Sequence, residues 1–293
     1  MMFNRTWISK AKFIFILLAV YSHSTIAQDV IGIDLLMREN MVKTKTQFEC
    51  NDKGEDCKTL YQWTYDELGR LIRSVDFSAG KPFSTATYSY NKFNKIDSVF
   101  RQFINNKKYL SQLYKYDNNG NNIEYYNCYE KTGCTIYKKY EYSLAGQLQK
   151  EIEFRNNEKD TETNYKYDKK GNKIEMSVAF KTSSFKTTYA YDDKNNMIFS
   201  FGFSPTGEKI DSTKYEYDKD RRLTHLHWMG GLNTNSFYTY DKVGNEIEFK
   251  SIALNGKLSD HRKMSYNDRL IATRIHYKDN KINRYFKFVY ERY

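Results

Sequence analysis

Tyr165-Lys-Tyr-Asp-Lys-Lys-Gly-Asn-Lys-Ile174 decides the fold of this 293-residue chain, because its grammar recurs along almost the whole length. The same frame stands at Tyr114-Lys-Tyr-Asp-Asn-Asn-Gly-Asn-Asn-Ile123 and Tyr238-Thr-Tyr-Asp-Lys-Val-Gly-Asn-Glu-Ile247. Its anchor tyrosines are Tyr65, Tyr90, Tyr116, Tyr142, Tyr167, Tyr191, Tyr217, Tyr240 and Tyr266, separated by 25, 26, 26, 25, 24, 26, 23 and 26 residues. A fixed period of this size means one small structural unit copied and stacked.

Each unit has four parts. An aromatic pair ends one strand, as in Tyr88/Tyr90 or Tyr189/Tyr191, with Trp63 and Met264 replacing the first ring in the first and ninth units. A short polar residue follows the anchor (Asp66, Asn91, Asp117, Ser143, Asp168, Asp192, Asp218, Asp241, Asn267), able to bond backbone groups just downstream and start a turn. Four residues after the anchor comes Gly69, Gly120, Gly146, Gly171 or Gly244, or else Asn94 or Asn195, the residues that enter a left-handed conformation most cheaply. Arg221 breaks this rule and the ninth turn is two residues shorter, so local irregularity is expected at both. An apolar residue then restarts the chain as a second strand, best seen at Ile174, Met176, Val178 and Phe180, which alternate with Glu175 and Ser177.

A second set of turns, such as Ser78-Ala-Gly-Lys81 and Asn255-Gly-Lys257, returns the chain to the next unit. The expected fold is all-β: a long antiparallel meander of about 20 strands, coiled into a superhelical or open barrel-like sheet. The two rings of each Tyr-x-Tyr share one face, and the middle residue (Lys115, Glu141, Lys166, Glu216 among them) takes the other. One unit buries too little apolar surface to offset the entropy of ordering some 25 residues, so neighbours must cover its aromatic face. Composition agrees: Tyr (27) and Phe (19) are over-used, and there are only two prolines, Pro82 and Pro205, both at turns.

The N-terminus reads as an export leader over 1–27. Arg5, Lys10 and Lys12 precede the apolar run Phe13–Tyr21, and Ala27 suits cleavage before Gln28. That run of nine is short of the roughly 20 residues a membrane span needs, although a retained anchor is the alternative reading. A lead-in over 28–44 and a single repeat domain over 45–293 complete the organisation. Loss of three cations with the leader lowers the formal charge from +11 to +8, spread evenly. Such a charge suits a soluble surface, or attraction to an anionic envelope or polysaccharide, rather than nucleic acid.

Cys50/Cys57 and Cys128/Cys134 each bracket a hairpin turn, and export supplies an oxidising setting, so two local disulfides are expected among the three pairings that four cysteines allow. No catalytic motif, cofactor loop or paired-carboxylate arrangement is present, and an enzyme is not indicated. His225 and His227 alternate on one strand, but two ligands are too few for a metal site. One Asx per turn followed by glycine is turn chemistry, not the six to eight oxygens of a calcium site. An outer-membrane barrel would need an apolar outer band, which the recurring Lys and Glu deny. In-phase rings are read as interior, which leaves Trp228, Tyr126 and Phe237 as candidate ligand-facing aromatics.

The three frames quoted first resemble the YD repeat of the Rhs/YD-repeat family, in phase over about residues 45–293. The resemblance implies an exported or surface protein with a coiled β-sheet, which in large members forms a shell around a C-terminal toxin or a module proposed to bind carbohydrate. This chain lacks the Asp-Pro-x-Gly motif that closes the repeat region in toxin-carrying members, and nine repeats suggest no closed shell. The functional expectation is a non-catalytic exported scaffold that binds a protein or envelope polysaccharide; the alternatives are a carbohydrate-binding module and a part of a toxin-delivery system. Two disulfides predict that unreduced mature protein weighs about four hydrogens less than the all-thiol chain. Alkylation of all four cysteines in unreduced, unfolded protein is the contrary result.

Overall fold

The computed structural model describes residues 35–231 and 233–293. The expected leader and the first residues of the lead-in lie outside that range. A short helical turn over 35–39 is followed by twenty strands and no other regular element among the described residues. Every strand pairs antiparallel with the next in sequence, from β1 (Val42–Cys50) and β2 (Lys58–Tyr65) through to β19 (Leu270–Lys278) and β20 (Lys281–Arg292). β20 then pairs with β1, from Val42↔Arg292 to Cys50↔Tyr285, and the meander closes into a barrel.

Closure goes beyond the open or superhelical sheet expected from the repeat count, and its physical cause is local. The ladder shifts register at every anchor, between Thr64/Tyr65, Ser89/Tyr90, Lys115/Tyr116, Glu141/Tyr142, Lys166/Tyr167, Ala190/Tyr191, Glu216/Tyr217, Thr239/Tyr240 and Ser265/Tyr266. A bulge bends its strand and increases local twist. The anchor bulges all lie at one rim, most of the other hairpins carry a second register shift, as at Asp76/Phe77, Val99/Phe100 and Tyr125/Tyr126, and the accumulated bending brings the two edge strands together. Pairing them removes both exposed edges.

The turn after an anchor is held by the short polar side chain that follows it, a carboxylate in six units. Asp168 Oδ1 accepts the N–H groups of Lys170 (2.9 Å) and Asn172 (2.8 Å), while Oδ2 accepts the Asn172 side-chain amide at 2.9 Å. Asp117, Asp192 and Asp241 repeat this arrangement with Asn121, Asn196 and Asn245, and in two units Arg70 and Arg222 supply the side-chain donor to Asp66 and Asp218. The seventh turn is regular, against expectation. Arg221 takes φ 64° and keeps the same backbone bonds as the glycine turns. Its guanidinium bonds Asn196 Oδ1 (3.0 Å) and the Lys194 carbonyl (2.8 Å) on the preceding turn, which offsets the cost of a left-handed arginine. The shortened ninth turn is a two-residue hairpin with Asp268 and Arg269 both at positive φ.

The anchor ring does more than fill space. The hydroxyls of Tyr90, Tyr116, Tyr167, Tyr191, Tyr217, Tyr240, Tyr266 and Tyr290 donate to the carbonyls of Leu71, Ile96, Leu148, Lys173, Met197, Leu223, Glu246 and Ile271, at 2.5–3.0 Å. Each acceptor lies at the start of a return strand, where the bulge of the preceding unit interrupts the ladder. One unit's anchor therefore ties down its neighbour's bulge.

The aromatic side is the inner face, as the alternation predicts. Tyr65, Val75, Val99, Met176, Val178, Tyr215, Phe249, Phe286 and Phe288 are buried, whereas Ser89, Lys115, Glu141, Lys166 and Glu216 are exposed. Ile174 departs from its expected face-mates Met176 and Val178 and is 38% exposed, because it is the extra residue of the bulge, left unpaired between Lys173 and Glu175. At the seam, Met37 of the helical turn packs on Val42, Tyr65 and Leu270, with Trp63 and Tyr290 alongside. Replacing Tyr167 by Phe leaves the Leu148 carbonyl without its donor and should cost about 1 kcal/mol. In a domain of this size that lowers Tm by about 2–4 °C, while Lys166→Ala on the outer face moves it by less than about 2 °C. Thermal unfolding followed by circular dichroism checks both.

Candidate functional site

The four cysteines form the two local bridges expected, Cys50–Cys57 with Cα atoms 4.0 Å apart and Cys128–Cys134 at 3.9 Å. Cys128 and Cys134 face each other directly across β7 (Asn122–Tyr129) and β8 (Gly133–Tyr142). Each bridge staples one hairpin end.

The three candidate ligand-facing aromatics do not converge. Tyr126 is on the outer face, its hydroxyl 2.9 Å from Lys115 Nζ and donating to Glu124 Oε2 at 2.6 Å. Phe237 is also outside, 41% exposed, with the His225 ring stacked parallel to it at 4.7 Å. Trp228 shares the inner-face phase of Leu226, opposite Thr213 and Thr234, and its indole covers Gly230 so closely that a Cβ there would meet the ring at 2.6 Å. The two outer rings stand on β7 and β16 (Thr234–Tyr240), nine strands apart. The histidines are engaged in the sheet: His225 Nε2 lies 2.9 Å from Asn235 Oδ1, and His227 Nε2 lies 2.9 Å from Asn233 Oδ1.

The chemistry that sequence reading missed sits among the inner rings. Lys138, almost fully buried, is held by Glu151 at 2.5 Å and Glu153 at 2.6 Å. Burial by itself would lower its pKa, but the two carboxylates outweigh it and raise it. Lys45 stands over the rings of Trp63 (5.3 Å) and Phe288 (5.2 Å); burial, then the nearby Arg274, bring its pKa down to about 8. Arg262 lies over Phe249 at 4.2 Å and Arg274 over Phe288 at 5.8 Å. These cations occupy the aromatic phase: Lys138 is two residues before Tyr140, and Arg262 two before Met264. Counting by twos back from each anchor would have found them.

No family model matches this chain, and no curated protein does. Among solved structures it is similar to a Tc holotoxin pore of Photorhabdus luminescens at 12% identity and TM-score 0.37, over 78% of this chain and 15% of that one. A TcdB2–TccC3–Cdc42 complex gives 15% identity and TM-score 0.31, over 80% and 16%. A porin-like protein from Bacteroides uniformis gives 9% identity and TM-score 0.36, over 86% of this chain and 97% of that one. The chain thus spans 15–16% of the length of the toxin chains it matches.

The lining phenols set the alkaline limit. Burial pushes Tyr142 and Tyr240 up to about 12, and Tyr140, Tyr165, Tyr189 and Tyr215 further still. The neutral phenol is thus favoured in the fold, while the unfolded chain ionises near 10, so stability falls as pH rises from about 10 through 12. Lys45 has the opposite sign: it destabilises the fold below about 8, and that cost fades towards 10.5, but one lysine is outweighed by the many phenols. In a titration at 295 nm, the inner tyrosines should ionise only in a cooperative step together with loss of β circular dichroism. Smooth ionisation of all tyrosines near pH 10 in folded protein is the contrary result.

Proposed function

We propose that this chain is an exported, non-catalytic YD-repeat scaffold of the bacterial envelope or extracellular space, which offers its outer face to a protein or an anionic polysaccharide. The observation that carries this reading is the deployment of its polar groups. The turn aspartates are spent on backbone and Asn or Arg donors within their own turn. The outer face is a ladder of cross-strand charge pairs, including Lys166–Glu175 (2.8 Å), Lys115–Glu124 (3.0 Å), Lys150–Glu141 (3.4 Å) and Lys263–Glu248 (3.7 Å). Exposed pairs of this kind add little stability, so their worth lies in keeping the face wet and sticky to charged partners. A lipid-facing barrel wall needs an apolar band instead. The leader-like N-terminus and the two bridges fit an oxidising compartment, and no described helix is long and apolar enough to cross a membrane.

A second reading, carbohydrate binding, is favoured by one observation: Phe237 is exposed on the outer face and held there by the stacked ring of His225. Stacking against a sugar ring would use Phe237 and not Trp228. Expression with the leader should yield non-toxic mature protein beginning at Gln28 outside the cytoplasm. Retention of the full-length chain in the cytoplasm, or growth arrest of the host, overturns the scaffold reading. A glycan array with wild type and Phe237→Ala decides the second: binding lost in the variant supports it, and no glycan bound removes it.

A further inference from the structure

The outer face changes character on β13 (Met197–Phe203). Elsewhere on that face lysines meet glutamates across strands, as Lys166 meets Glu175 and Lys115 meets Glu124. On β13 three successive outward positions hold Phe199, Phe201 and Phe203, directly opposite Ala190, Thr188 and Lys186 of β12 (Ser184–Tyr191). Ala190 is the middle residue of Tyr189-Ala190-Tyr191, which fixes this phase as the outer one. All three rings are half-buried, and those of Phe199 and Phe201 are parallel with centres 5.7 Å apart.

Two lysines close on this stripe. Lys186 Nζ lies 5.1 Å from the centre of the Phe203 ring, and Lys209 Nζ lies 4.7 Å from that of Phe201. In the ladder both lysines stand opposite Phe203, one on β12 and the other on β14 (Lys209–Tyr217), so a cation flanks that residue on either side. Both are exposed, and neither makes an ion pair among the described residues. The acids around them are placed otherwise. Glu216 holds Lys214 at 2.7 Å, and Asp211 stands opposite Gly202 with its carboxylate where a Cβ on that glycine would project, on the inner side. Glu208, in the adjoining turn, pairs with neither lysine among the described residues.

We infer that the stripe of Phe199, Phe201 and Phe203, flanked by Lys186 and Lys209, binds an acidic polysaccharide, whose sugar C–H faces cover the rings while its anionic groups meet the two ammonium groups. This locates the anionic polysaccharide of the proposed function on one part of the outer face, and it rests on that reading. Apolar patches rimmed by polar groups mark interaction sites. An ammonium without a carboxylate partner keeps its charge available to a ligand, whereas the paired lysines elsewhere have already spent theirs. Strand spacing sets the backbones of Lys186 and Lys209 about 10 Å apart across Phe203, so one polymer laid across the strands meets both cations and the ring between them. An anionic lipid surface fits less well. Entering it requires apolar side chains that reach about 5–10 Å into the headgroup boundary, and these rings are half-buried in a sheet face.

The test is calorimetric titration of the full mature protein with polygalacturonate and with dextran sulfate, at low and at physiological salt. Neutral dextran, polyglutamate and phosphatidylglycerol vesicles serve as comparisons. At least one of the two acidic polysaccharides should bind, and which one does separates a carboxylate from a sulfate ligand. Neutral dextran, lacking the charge, and polyglutamate, lacking the sugar, should bind at least about tenfold more weakly. Phe203→Ala should weaken the polysaccharide about tenfold, the loss of an aromatic anchor at the centre of a contact. Lys186→Gln should weaken it and flatten its salt dependence, and it keeps the site testable if the first variant does not fold. Lys115→Gln, away from the stripe and paired with Glu124, should leave binding unchanged. Undiminished binding in the folded Phe203 and Lys186 variants overturns this site and leaves an anionic-polysaccharide scaffold standing. Equal binding of polyglutamate, binding of vesicles in place of both polysaccharides, or no polysaccharide bound overturns it too, and export of non-toxic mature protein then judges the scaffold reading separately.

Discussion

Everything in this barrel depends on a phenol hydroxyl reaching the backbone of the unit before it. A bulge is a break in the ladder, and a break repeated at every unit would leave a rim of loosened carbonyls. In most units the anchor tyrosine mends it: Tyr90 reaches Leu71, Tyr116 reaches Ile96, and at the end of the chain Tyr290 reaches Ile271. Curvature and repair thus come from the same residue. The anchor sits at the bulge of its own unit and closes that of its neighbour. Phenylalanine fills the same volume but lacks the donor, which gives a physical reason for tyrosine at this position.

Strand alternation then divides the chemistry between two environments. Outside, Lys and Glu face water and pair loosely across strands. Inside, the same residue types become costly. Lys138 is tolerated because two carboxylates close on it, and Lys45 because aromatic faces surround it while its pKa drops. Arg262 and Arg284 stand beside Asp260 and Glu49, while His276 Nε2 is buried without a partner.

Much of this was legible from residue order. Asp168, Gly171 and Ile174 spell a turn and a restarted strand without any tertiary information, and the bridged cysteines face each other because they flank turns. Arg221 was misread for an instructive reason. Local propensity disfavours a left-handed arginine, but flanking strand pairs and two side-chain bonds to the preceding turn over-determine its conformation. Trp228 was misplaced because it lies beyond the aromatic pair, where counting from the anchor loses its phase.

The amino-acid order by itself determined the unit: its two strands, its carboxylate-held turn and the face its rings share, because these follow from backbone sterics and a period of two. Only the tertiary structure decided that the sheet closes and which inward charges meet, as Lys138 meets Glu151 and Glu153. Closure is a sum of small bends over the whole circuit, and a partner is known only once every neighbouring strand is in register.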